Sequence, residues 1–165
     1  MRALVFSFLL TLVACDRAPT PSSPAEIAVE AAAPAPSFSG KFSATSNTAM
    51  GITGDVTIDA GQLVFSKGQT LKTTTLSTPD VTGIVGQTLY GENPPDDFTI
   101  ELRRIESTIS SDPAAQKICG DGDQAATYIA IVRDSDRNNW LVPFTGKTPP
   151  TSAEAVCATF LYATP

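Results

Sequence analysis

From Phe38 onward the chain alternates apolar and polar residues in short runs broken by glycine, proline, asparagine and aspartate, the pattern of β-strands joined by turns. In "FSGKFSA", Phe38, Gly40 and Phe42 fall on one face. "GITGDVTI" continues in the same style, with Ile52, Val56 and Ile58 as expected core residues and Gly54 as an expected bulge. "DAGQLVF" and "SKGQTLKTTTL" read as two strands turning at Lys67-Gly68, with Leu63 and Phe65 together and Leu71 and Leu76 on the same side. "GIVGQTLY" is an apolar run, and "ENPPDD" is a loop because two prolines remove backbone donors. The clearest strand is "FTIELRRIE", which alternates Phe98, Ile100 and Leu102 against Thr99, Glu101 and Arg103.

"SDPAAQKI" fits a brief helical turn, with Asp112 as cap and Pro113 at the first helical position. "TYIAIV", the polar turn "RDSDRNN" and "WLVPF" predict a hairpin, and "VCATFLYA" one more strand. The expectation is an all-β domain, a small antiparallel barrel or sandwich of about eight short strands. Both architectures stay open at this level.

The first 37 residues follow a different pattern. After Met1 and Arg2 come twelve mostly apolar residues, "ALVFSFLLTLVA", ending at Cys15. A membrane-crossing helix needs about 20 such residues, so the run reads instead as an export signal. Leu12-Val13-Ala14-Cys15 resembles the lipobox of bacterial lipoproteins. That resemblance implies cleavage before Cys15, acylation of its thiol, and a membrane anchor facing the periplasm. Anchoring by acyl chains contributes about 0.8 kcal/mol per buried methylene, so several chains hold where one does not. Asp16 follows the lipidated position; in enteric bacteria that residue favours the inner membrane, so the choice of membrane stays open. Residues 16–37 are rich in Pro, Ala and Ser, too poor in large apolar groups to offset chain entropy, and read as an extended tether. The organisation expected is therefore a signal at 1–14, a lipidated cysteine and tether at 15–37, and a β domain at 38–165.

Lipidation of Cys15 leaves Cys119 and Cys157, and in an oxidising compartment two remaining thiols are expected to pair. Closing a loop of that length is worth about 4 kcal/mol in the chain-entropy model. Charge narrows the partners. The signal holds one of eleven basic residues and none of seventeen acidic ones, so the remainder carries ten positive against seventeen negative charges. An acidic surface without a basic stripe disfavours nucleic acid.

Candidate chemistry is sparse, and no cofactor is implied. With no histidine, Ser-His-Asp and Cys-His catalysis as usually built are excluded. "GKT" at Gly146 to Thr148 lacks the rest of a phosphate loop, and "GDGDQA" at Gly120 to Ala125 reads as a turn. Asp134, Asp136 and Asn138 occupy the first, third and fifth positions of a calcium loop. Asn139 and Thr145 stand where that pattern needs glycine and glutamate, and these residue types also suit a plain hairpin turn. Glu92, Asp96 and Asp97 carry a glycan-hydrolase alternative, in which one carboxyl must be held neutral. Trp140, Phe144, Phe160, Tyr128 and Tyr162 concentrate aromatic surface in the last third, for a core or a ligand pocket. The leading expectation is a membrane-anchored lipoprotein whose domain binds a protein partner or maintains the envelope without catalysis. An alternative is an inhibitor of a basic enzyme such as lysozyme, by architectural analogy with small lipid-anchored, disulfide-bonded inhibitors.

Overall fold

The computed structural model describes residues 38–77, 80–112, 117–120, 124–134 and 136–165. The signal, Cys15 and the tether lie outside the described residues, as does most of the helical turn expected around Pro113. Eight antiparallel strands run β1 (Gly40–Ala44), β2 (Val56–Asp59), β3 (Gln62–Phe65), β4 (Gln69–Thr75), β5 (Thr99–Ser110), β6 (Tyr128–Arg133), β7 (Asn139–Phe144) and β8 (Phe160–Ala163). Each pairs with its neighbour in sequence and β8 pairs back to β1, so the sheet is a closed barrel, not a sandwich. Closure removes the edge strands of an open sheet, and β5 beyond its pairing with β6 keeps one free side among the described residues.

The barrel interior is filled from nearly every strand: Phe42, Val56 and Ile58, Leu63 and Phe65, Leu71, Ile129 and Ile131, Leu141, Phe160 and Tyr162 form one buried cluster. An eight-stranded barrel is just narrow enough for side chains to fill it. Five consecutive buried residues in β6 show that this strand is covered on both faces. Its inward face meets the interior, while Tyr128, Ala130 and Val132 join Leu102, Val142 and Phe144 in a second cluster outside. Over them lies helix α1 (Thr82–Tyr90), through Val81 and Val85. The apolar run "GIVGQTLY" is thus a helix, and one domain has two cores separated by a sheet.

Two further positions depart from the sequence pattern. Ile52 lies in a five-residue π-helical turn, Ala49–Thr53, and not in a strand. Gly54 ends that turn at φ 63°, where a Cβ would fall 2.2 Å from Ser66 Oγ, so it is a turn glycine and not a bulge. The β-bulge lies instead in the β4–β5 ladder, where Lys72 faces Ser107 and Thr73 faces Ile105, leaving Glu106 unopposed.

Candidate functional site

Strand sense divides the connections between two ends. At the near end the chain enters at Phe38, and there lie the β2–β3 turn, α1 and the β6–β7 turn. At the far end lie the π-helical turn, the β3–β4 turn, the β5–β6 loop and the β7–β8 connection.

The near end is closed by charge. Glu101 and Arg103 point inward from β5, 3% and 0% exposed. The alternation is as the sequence has it, but Leu102 faces the outer cluster under α1, so the polar face of the strand turns inward. Arg103 Nε donates to Glu101 Oε1 at 2.7 Å, and Thr75 Oγ1 donates to the same oxygen at 2.6 Å. The guanidinium also donates to the Asp59 carbonyl, to the Phe38 carbonyl at 3.2 Å, and at 3.5 Å to Thr73 Oγ1. Glu101 Oε2 accepts the Phe38 backbone N–H at 2.9 Å. Two side chains thereby grip both polar groups of one peptide residue. The Phe38 ring, 4% exposed, fills the barrel mouth, and the Arg133 guanidinium covers it with its central carbon 5.2 Å from the ring centroid. The buried run of β6 was the available clue, since a strand covered on both faces leaves its neighbour no simple solvent face.

In the β6–β7 turn, Asp134 holds the loop together. Its two oxygens accept the Asn138 backbone N–H at 2.9 Å and the Asn138 side-chain amide at 3.0 Å, and Tyr90 Oη donates to it at 3.1 Å. Burial alone would raise the Asp134 pKa, but the hydrogen bonds from Asn138 and Tyr90 outweigh it and hold the carboxyl below its ordinary value. Burial and this carboxylate push the Tyr90 phenol up to about 12. The Trp140 indole nitrogen, buried beside this pair, makes no hydrogen bond of good geometry. Asp136 is exposed, and among the described residues no three Asp, Glu, Cys or His side chains converge. Asp134 and Asn138 are thus brought together as a turn clamp that docks α1, with Asp136 outside it.

The carboxylates at Glu92, Asp96 and Asp97 are exposed on the loop between α1 and β5. The aromatic residues divide: Phe160 and Tyr162 fill the interior, while Tyr128, Phe144 and the partly buried Trp140 belong to the outer cluster. Tyr162 Oη and Thr53 Oγ1 share a buried hydrogen bond of 2.6 Å that fixes the π-helical turn across the far end.

At that far end Cys119 and Cys157 form a disulfide with Cα atoms 5.2 Å apart. It ties the β5–β6 loop to the β7–β8 connection; Cys157 precedes β8 and does not lie within it. No known protein family, curated protein or solved structure matches this chain. The reading of its function rests on its own residues.

Beside the disulfide the wall parts. β6 accompanies β5 only from Thr99 to Arg104, while β5 continues along β4 to Ser110. The gap holds a hollow of about 180 Å³ bounded by Thr108, Ile118, Cys119, Ala125 and Ala126, with Gln69 and Lys117 at its margins.

Proposed function

We propose that this chain is a bacterial lipoprotein, lipid-anchored at Cys15 and facing the periplasm, whose barrel is a binding or envelope-maintenance module. The observation that carries this reading is the lipobox Leu12-Val13-Ala14-Cys15, at which an apolar run gives way to a Pro/Ala/Ser tract. A disulfide in the domain suits the compartment beyond the inner membrane. Because side chains occupy the barrel interior, a partner would be met on the outer surface of the barrel.

The test is fractionation of cells expressing the native chain and Cys15→Ser. The native chain is expected in the membrane fraction with acyl mass on its N-terminal cysteine. An unchanged distribution and mass for Cys15→Ser refutes the anchor.

A second reading, inhibition of a basic envelope-targeting enzyme such as lysozyme, draws on the acidic excess of ten positive against seventeen negative charges after the signal. Lysozyme activity should then fall on titration with the protein and recover with added salt. Full activity at a large molar excess eliminates it.

A further inference from the structure

The hollow beside the disulfide has the construction of a small-ligand site. Its floor is apolar, made by Ile118, Ala126 and the Cys119 end of the disulfide, with the exposed Ala125 at its mouth. Its volume of about 180 Å³ is close to that of apolar cavities of roughly 150 Å³ that take up benzene. One wall is the overrun of β5 at Thr108, which no strand accompanies on the β6 side among the described residues. The opposite wall is held in place by the covalent link from Cys119 to Cys157.

Lys117 is exposed on the lining, and its ammonium makes no hydrogen bond or ion pair among the described residues. At Ala125 the hollow adjoins a shallower trough of about 420 Å³ lined by Gln124, Thr127, Gly146 and Lys147, and Lys147 is likewise without a partner. The other three lysines are elsewhere: Lys67 Nζ donates to the Gly51 carbonyl, Lys72 to Gln62, and Lys41 lies on the outer face of β1. One unpaired ammonium thus lines the hollow itself and a second lines the adjoining trough.

We infer that this far-end hollow binds a small apolar monocarboxylate, its hydrocarbon in the hollow and its carboxylate at Lys117. The same chemistry is offered by a free short-chain acid and by the apolar C-terminal residue of a polypeptide. The inference deepens the binding-module reading and rests on it for its biological use. It does not need the lipid anchor, because loss of ligand binding leaves membrane fractionation unchanged and the two fail separately.

The experiment is titration of the purified, isotopically labelled protein followed by amide chemical shifts, with hexanoate, 1-hexanol and N-acetyl-leucine as probes. Hexanoate has few atoms with which to bind, so its expected Kd is on the order of 1 mM. Shifts should be confined to the region of Thr108, Ile118 and Ala126. Hexanol is expected to bind roughly fivefold more weakly, the upper range for one partly exposed ion pair. Lys117→Gln should bring hexanoate down to the level of hexanol and leave hexanol unchanged. Ala125→Phe, a substitution at an exposed position that fills the mouth, should abolish binding of all three without altering the dispersed spectrum. The tighter of hexanoate and N-acetyl-leucine identifies the free acid or the chain terminus as the source. Absent or scattered shifts, equal binding of hexanol, or indifference to either substitution overturns the proposal.

Discussion

At the residue scale the decisive side chain is Arg103. A guanidinium with no exposure carries a desolvation cost of several kcal/mol, offset by Glu101, three carbonyl or hydroxyl acceptors and the fixed geometry of the barrel mouth. Removing one partner leaves the other charge stranded. Arg103→Met should therefore cost about 3–5 kcal/mol in urea unfolding, and Glu101→Leu/Arg103→Met should recover most of that loss. A double variant as unstable as the single would show that the pair contributes net stability by itself. Arg137, exposed and left-handed at φ 63°, presents the opposite case. Arg137→Gly relieves that conformation without removing a buried contact and should raise stability by about 0.5–1 kcal/mol. Tyr90 and Tyr162 give a pH signature. Burial raises both phenols above the unfolded value near 10, Tyr90 to about 12. The unfolded chain thus loses these protons first. The stability they supply is complete below pH 10 and declines as pH rises toward 12, which denaturant midpoints across that range would register.

At the element scale, α1 makes the outer face of β5–β7 a second core. Val85 is fully buried there, and Val85→Ala should cost about 2 kcal/mol, measured by thermal or urea unfolding. The helix was hidden in the sequence because "GIVGQTLY" is short, carries two glycines and lacks a strong amphipathic stripe, so its apolar residues fit a buried strand as well. "FTIELRRIE" was legible as a strand but silent as to facing. Period-two alternation separates two faces but does not say which of them looks inward. Where one face lies under a helix, the apolar set goes outward and the polar set must find partners inside. The β6–β7 hairpin was legible in full, since "TYIAIV" and "WLVPF" flank a turn rich in Asp and Asn. The role of Asp134 within it, accepting from Asn138 and Tyr90, needed the helix to be in place.

At the scale of the whole molecule, the disulfide joins two far-end connections 38 residues apart. Reduction, or paired Cys119→Ala and Cys157→Ala, should lower stability by about 2–4 kcal/mol in urea unfolding. The same change frees one wall of the hollow beside Ile118, so hexanoate affinity should fall with it. The pairing was legible by arithmetic once Cys15 was assigned to a lipid. The hollow was not, because Thr108, Lys117 and Ala126 are separated along the chain and meet only where β5 outruns β6.

The sequence by itself determined the strand periods, the turn chemistry and the cysteine pair, all of which depend on neighbours a few residues apart or on residue type. It left barrel and sandwich equally open, because both satisfy the same alternation. The tertiary structure decided closure, through the pairing of β8 with β1, and with closure which face of each strand lies inside. That choice is made by long-range packing: α1 covers one arc of the barrel, and Glu101 with Arg103 then holds the residue at which the chain enters.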